Sequence, residues 1–292
     1  MWRTRYEHSS IRGYAPPVTD RVLVSPAELF GDGVFETVHL RPTGPWLLDA
    51  HLDRLARSAA MLDLPVPPLA LGGLTSDGPE SALRIICTRE SQHVTVSPIA
   101  RASLRERHEG IRVISAVVGP RPPWSLSGAK TLSYAENFAA RRWARGKGAD
   151  DLIWLTTEGY ALEAPTASIV WLAGDTLCTV PPAGTGILPG TTAAHLLAEA
   201  GKVGLRAAER MVTIDELGAA DAIWLTSALR GPAEVVSLDG APRRRTRWTP
   251  RLLALLGYPP APAQPPAPAQ PPAPAQPPVP AQPPMRSKRA DR

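Results

Sequence analysis

Gly128-Ala129-Lys130-Thr131-Leu132-Ser133-Tyr134-Ala135-Glu136-Asn137 sets a lysine between a Pro/Gly-rich connector, Pro122-Pro123-Trp124-Ser125-Leu126-Ser127-Gly128, and the start of a helical pattern. Small, polar neighbours leave room for a flat ligand beside the side chain. Burial disfavours the ammonium, so a shielded lysine has a lowered pKa and its neutral amine can form a Schiff base with a carbonyl. A lysine at a helix start is more often a simple surface charge. The blocks on either side of it decide between these readings.

Upstream lie Phe30-Gly31-Asp32-Gly33-Val34-Phe35-Glu36-Thr37 and His51-Leu52-Asp53-Arg54-Leu55. Downstream come Glu158-Gly159-Tyr160-Ala161-Leu162-Glu163-Ala164-Pro165-Thr166-Ala167-Ser168-Ile169 and Gly186-Ile187-Leu188-Pro189-Gly190-Thr191-Thr192. Together with the lysine block, in this order, they resemble the class IV aminotransferase family, the fold type IV group of pyridoxal-phosphate enzymes. The resemblance spans roughly residues 18 to 240. It implies a two-domain α/β (α+β) architecture with the cofactor, pyridoxal 5'-phosphate, in the cleft between domains, and a homodimer.

The resemblance also implies roles. Lys130 matches the Schiff-base lysine and the catalytic base, and Glu163 the carboxylate that pairs with the ring nitrogen. Arg54 matches the phosphate-binding arginine, whose planar guanidinium suits two phosphate oxygens. Thr191 and Thr192 follow Leu188-Pro189-Gly190 at a helix start, where free N–H groups and the helix dipole favour an anion. Ser227, followed by Ala228, sits at another phosphate-contacting turn; with alanine at 228 only the backbone N–H serves there. Tyr134 resembles a tyrosine that hydrogen-bonds the phenolic oxygen, although the family spaces it one residue further from the lysine. His51 and His195 have no partner pattern for a triad or a metal site, and helix-surface roles are expected for both.

Members of this family divide by reaction. Lys130-Thr131-Leu132-Ser133-Tyr134-Ala135, Glu163-Ala164-Pro165-Thr166 and the turn Thr226-Ser227-Ala228-Leu229 are similar to aminodeoxychorismate lyases. These convert 4-amino-4-deoxychorismate to 4-aminobenzoate and pyruvate, for folate biosynthesis. The Gly-Arg-Gly-Tyr loop of some lyases is missing near Arg89-Glu90-Ser91-Gln92. The alternative is an aminotransferase acting on branched-chain or D-amino acids.

Composition narrows the field further. The 292 residues, 43% hydrophobic, suffice for a sizeable core. No apolar run approaches the ~20 residues that span a bilayer, and Met1-Trp2-Arg3-Thr4-Arg5-Tyr6 lacks a signal-peptide core, so a cytoplasmic protein is expected. Cys87 and Cys178 fall inside strand-like runs without metal-ligand spacing and read as buried thiols. Of the net charge of +5, Arg286, Lys288, Arg289 and Arg292 against Asp291 supply more than half, so the excess is no nucleic-acid signature. A small-molecule amino substrate is the expected partner, with no metal and no membrane.

Periodicity divides the chain into an N-terminal α/β domain (1–120), a connector (121–129), a C-terminal cofactor-binding domain (130–258) and a tail (259–292). Strands are expected at Val34–Leu40, Trp46–Leu48, Leu83–Thr88, His93–Ser97 and Ile111–Val118. A helix over Ala50–Leu62 directs Leu52, Leu55, Ala59 and Leu62 to the core and His51, Arg54 and Ser58 to another face. Helices near Tyr134–Lys147, Thr192–Gly201 and Pro250–Leu256 alternate with strands near Leu152–Thr156, Ala167–Ala173, Leu177–Val180, Ala222–Thr226 and Ala233–Leu238.

From Pro259 the composition changes. Ala261–Pro266, Ala267–Pro272 and Ala273–Pro278 repeat Ala-Pro-Ala-Gln-Pro-Pro, and Val279–Pro284 varies it once. Proline removes backbone donors and restricts φ, so a disordered, polyproline-II-rich tail is expected, roughly 70 Å long if straight, with no identifiable partner. Such repeats bury too little surface to offset the entropy of ordering. Truncation after Tyr258 is therefore expected to leave the melting temperature within about two degrees of the full chain; a fall of several degrees would show that the repeat docks on the body.

Overall fold

The computed structural model describes residues 25–260 apart from 67, 68, 70 and 72, so the proline-rich tail lies outside the described residues. A short helix α1 (Pro26–Phe30), closed by a Ser25–Glu28 capping box, leads into β1 (Gly33–Arg41) and β2 (Gly44–Pro45). Helix α2 (Leu48–Ala60) precedes the hairpin β3 (Ser81–Thr88) and β4 (Gln92–Ser97). After α3 (Arg101–Glu109) come β5 (Ile111–Val117), α4 (Ala135–Gly146), β6 (Asp151–Leu155), β7 (Ser168–Ala173) and β8 (Thr176–Thr179). The chain continues through α5 (Thr191–Glu199), a 3-10 turn (Ala200–Val203), β9 (Arg206–Glu209) and α6 (Ile214–Gly218). It ends with β10 (Ala222–Ser227), β11 (Gly231–Leu238), β12 (Ala241–Pro242) and α7 (Trp248–Leu255).

Two sheets result. The first has the order β2-β1-β3-β4 and is antiparallel throughout. Val34, Val38 and Leu40 of β1 and Leu83, Ile85 and Cys87 of β3 pack on Leu55 and Ala59 of α2. The second is eight-stranded, β6-β5-β11-β10-β7-β8-β9, with β12 beside β11. Its core centres on Ile169, Trp171, Ile223, Leu225 and Val235 on one face, with α5 and α7 packed on the other through Leu196, Leu252 and Trp224. The mixed α/β class expected from the sequence is what the chain adopts.

Strand β5 departs from the expected domain limits. It pairs in parallel with β6 and β11, so the division between sheets falls after β4, well before the connector at 121–129. Periodicity identifies a strand but not its sheet partner. The expected strand at Trp46–Leu48 is also corrected. The Trp46 N–H donates to His39 O (2.9 Å), Leu47 turns into the left-handed region (φ 55°) and Leu48 already opens α2. Helix α3 was not anticipated, because its sequence, Arg101-Ala102-Ser103-Leu104-Arg105-Glu106-Arg107-His108-Glu109, has almost no apolar stripe. Charged side chains bury it instead, with Glu106 and Arg107 nearly inaccessible.

The lysine segment is bound to the first sheet by its backbone. Phe35 N–H donates to Lys130 O (2.9 Å) and Leu132 N–H to Gly33 O (2.8 Å), a bridge centred on Val34 and Thr131. Gly33 permits that approach, since a Cβ there would lie 2.7 Å from Leu132 Cδ1 and 2.9 Å from Cys87 O. Gly33→Ala is expected to cost about 1–3 kcal/mol through this overpacking, measured by urea denaturation; an unchanged midpoint would mean that the segment yields freely.

Candidate active site

A cleft of about 860 Å³ is lined by Phe35, Arg54, Lys130, Tyr134, Glu163, Thr191, Thr192 and Ser227. All seven residues singled out from the sequence as site candidates border this one cleft. Lys130 is half-buried at its centre. Its N–H donates to Ser58 Oγ (3.0 Å), Nζ lies 3.2 Å from the Tyr134 hydroxyl, and the ammonium sits 4.4 Å from the Phe35 ring centroid. The Phe35 ring meets Tyr134 edge-on at 5.0 Å. An aromatic floor and a hydroxyl thus fix the direction of the amine.

Glu163 follows β6 in the chain and is 8% exposed. Its Oε2 accepts the Leu188 N–H (3.2 Å) and its Oε1 lies 3.8 Å from Arg121 Nη2. Burial pushes the carboxyl up to about 7, against the Leu188 N–H and the charges of Arg121, Lys130 and Arg54. A carboxyl in this condition is poised to accept a cationic N–H from a ligand.

The polar stripe of α2 turns inward. Arg54 donates from Nε and Nη2 to the two oxygens of Glu36 (2.7 and 2.8 Å) and from Nη1 to Pro189 O (3.0 Å). Its fork is therefore committed to a carboxylate, and only its remaining N–H groups are left for a ligand in the cleft. Burial alone would raise the Glu36 carboxyl, but the Arg54 hydrogen bonds and charge, joined by His51, hold it down to about 2. His51 is a correction to the surface role expected for it. It is fully buried, with Nδ1 2.7 Å from Glu36 Oε2 and Nε2 3.4 Å from Thr191 Oγ1. Burial lowers its pKa despite the hydrogen bond and charge of Glu36, and its Nδ1 faces the carboxylate. Glu36 itself was missed. Its signal is an acid in the inward row Val34-Glu36-Val38-Leu40, opposite a helix whose His51, Arg54 and Ser58 share one face.

Helix α5 starts at the cleft. Gly190, its N-cap, offers no side-chain cap, and a Cβ there would lie 2.1 Å from Ser168 Oγ. Thr192 Oγ1 is buried without a hydrogen-bond partner among the described residues. A nine-residue helix whose first N–H groups have no intrahelical partner, beside an unpartnered hydroxyl and Arg54, is chemically able to accept an anion. His195, further along α5, packs edge-on against Trp46 at 5.6 Å and takes no part in the cleft.

The family model for amino-transferase class IV matches residues 33–238. The chain belongs to the class IV aminotransferases. It is 34% identical over 249 residues to the bifunctional aminodeoxychorismate lyase / D-amino acid transaminase of Mycobacterium tuberculosis, covering 75% of this chain and 86% of that protein. It is 26% identical to the aminodeoxychorismate lyase of Bacillus subtilis, over 69% of this chain and 75% of that protein. Among solved structures, the fold IV transaminase CpuTA1 of Curtobacterium pusillum superposes with a TM-score of 0.75 at 36% identity, covering 83% of this chain and 90% of that one. A hypothetical aminotransferase of Mycobacterium tuberculosis in its PLP-bound form gives 0.75 at 32%, covering 83% and 94%.

Two of the buried carboxylates of this class IV aminotransferase, Glu36 and Glu163, have opposite pH signatures. Glu36, lowered, contributes stability above pH ~4.5 that is lost as pH falls towards 2. Glu163, raised, contributes stability that is complete below pH ~4.5 and lost as pH rises through about 7. In the ligand-free protein the Glu163 contribution is about 3 kcal/mol. Comparing denaturation at pH 5 and pH 8 in wild type and Glu163→Gln is expected to show that decline in wild type alone; parallel behaviour would mean that the carboxyl is solvated.

Proposed function

We propose that this enzyme is a pyridoxal-phosphate-dependent aminodeoxychorismate lyase. The residues of the cleft fit the cofactor. The unpartnered Thr192 hydroxyl, the free start of α5 and the spare N–H groups of Arg54 suit its phosphate, and the desolvated Glu163 suits its ring nitrogen. Bound there, pyridoxal phosphate supplies an aldehyde for an amine and a ring that draws electrons from the adjoining carbon. Lys130 is the amine that would hold the aldehyde carbon. With the cofactor in place, the Lys130 amine would move the proton at the carbon that bears the substrate's amine. Tyr134, 3.2 Å from Nζ, orients the lysine, and a cationic N–H beside Glu163 keeps that carboxyl ionised.

The observation that carries the lyase reading is the cleft wall. 4-Amino-4-deoxychorismate has two carboxylates, and Arg84, Arg121, Arg141 and Arg230 all border the cleft. Arg141 and Arg230 are balanced by Glu106 and Asp151, and Arg121 faces Glu163. Arg84, which donates to Ser97 Oγ (3.2 Å), has no carboxylate partner among the described residues and leaves a cation for the substrate. The wide cleft suits a ring-bearing substrate, and the hydroxyl-free Ala228 agrees with the lyase-like turn read from the sequence. D-amino acid transamination is the second reading, favoured by the two activities in the name of the Mycobacterium tuberculosis relative. In either case a cytoplasmic homodimer is proposed, and for the lyase a place in folate biosynthesis.

Given 4-amino-4-deoxychorismate, the purified enzyme is expected to release 4-aminobenzoate and pyruvate in equal amounts without a keto-acid acceptor. Product chromatography that finds no 4-aminobenzoate, with keto-acid-dependent consumption of D-alanine, would transfer the assignment to the transaminase. Lys130→Ala is expected to lose at least two orders of magnitude in turnover on whichever substrate is accepted. Activity above a hundredth of wild type would remove Lys130 from the chemistry.

A further inference from the structure

The hairpin turn Ser227-Ala228-Leu229-Arg230, between β10 and β11, borders the cleft with all four residues. Its carbonyls are held from the side away from the cleft by two side chains to which the reaction assigns no role. The Tyr258 hydroxyl donates to Ala228 O (2.6 Å) and, at 3.5 Å, meets Ser227 O. Arg107 donates from Nη2 to Leu229 O and from Nε to Arg230 O (3.3 Å). Neither Tyr258 nor Arg107 lines the cleft.

Peptide planarity makes this arrangement consequential. In a trans peptide the N–H points opposite to the preceding C=O. Carbonyls of Ser227, Ala228 and Leu229 drawn towards Tyr258 and Arg107 therefore turn the N–H groups of Ala228, Leu229 and Arg230 away from that pair. Among the described residues none of these three N–H groups has a hydrogen-bond partner. Unmatched backbone donors at the edge of a cleft can hold an anionic oxygen without help from a side-chain hydroxyl.

The two side chains form one assembly. Arg107 Cζ lies 4.7 Å from the Tyr258 ring centroid, and Arg107 Nη1 pairs with Glu80 Oε1 at 2.8 Å. Glu80 Oε2 accepts His39 Nε2 (2.8 Å), while His39 Nδ1 accepts Arg41 Nε (3.2 Å), which fixes the tautomer. The His39 ring stacks on Tyr258 at 5.0 Å and 9°. Arg41 Nη2 donates to Leu256 O (2.8 Å), anchoring the chain just before Tyr258. Gly231, at φ 66°, accommodates the assembly, since a Cβ there would stand 3.1 Å from the tyrosine ring.

We propose that Arg107 and Tyr258 are positioning residues that hold the 227–230 turn with its N–H groups presented to an anionic oxygen in the cleft, the cofactor's phosphate or the substrate's carboxylate. This rests on the reading of the cleft as a pyridoxal-phosphate site. The test uses the cofactor-free full chain, titrated with pyridoxal 5'-phosphate and separately with pyridoxal, which lacks the phosphate, and followed by equilibrium dialysis. Tyr258→Phe keeps the ring and removes the donor; Arg107→Lys keeps the charge facing Glu80 but cannot donate to both carbonyls.

If the turn serves the phosphate, both variants are expected to bind pyridoxal phosphate about tenfold more weakly and pyridoxal as wild type does. If it serves the carboxylate, cofactor affinity stays and KM for the accepted substrate rises about tenfold with kcat within twofold. Either result supports the proposal, with melting temperatures close to wild type marking the effect as local. Wild-type values for all these quantities in both variants would overturn it, as would an equal loss of pyridoxal and pyridoxal phosphate affinity, which signals general loosening. A wild-type protein that binds neither compound would remove the cofactor reading and this proposal together.

Discussion

A carboxylate without access to solvent organises the first sheet and the cleft above it. Glu36 stands in the inward row of β1, where Val34, Val38 and Leu40 pack on α2. Removing a charge from water is costly unless it is paired and hydrogen-bonded. Arg54 and His51 meet that requirement from successive turns of α2, and this fixes the rotation of the helix against the strand. The same contacts extend to Pro189 O and Thr191, so the start of α5 is located relative to β1 through one ion. Glu36 is thus the common anchor for elements more than 150 residues apart in the chain.

Environment separates this carboxylate from Glu163. Both are nearly inaccessible, yet one is held at about 2 and the other raised to about 7. Glu36 has a bidentate guanidinium and an imidazole N–H, whereas Glu163 has one backbone N–H and an arginine at 3.8 Å. The first is satisfied by the protein itself. The second is only partly satisfied, which leaves it able to take a further hydrogen bond or cation in the cleft.

The second sheet supplies the remaining walls, and the first sheet steadies them. The lysine segment pairs by backbone with the start of β1. At the other end of that strand His39 and Arg41 join Glu80, Arg107 and Tyr258 behind the hairpin turn of β10 and β11. One strand therefore touches the supports of the lysine, the arginine and the turn. Displacement of β1 would move all three, which explains why so many of its side chains are committed: Phe35 to the amine, Glu36 to Arg54 and His39 to Glu80.

Local sequence determined the elements and the order of the site blocks. Apolar period and turn residues place β1, β3, β7, β10 and α2 within a residue or two, while Lys130, Glu163, Arg54 and the Gly190-Thr191-Thr192 start of α5 stand out in the sequence through the resemblance of their blocks to the family, and all of them border one cleft. Tertiary structure alone decided the partnerships. That β5 belongs with β6 and β11, that α3 is buried through Glu106 and Arg107, and that His51 faces a carboxylate instead of water depend on pairing across long separations. Charged residues carry no periodic signal of burial, because a charge is stable inside only when its partner arrives, and that partner is chosen by the fold.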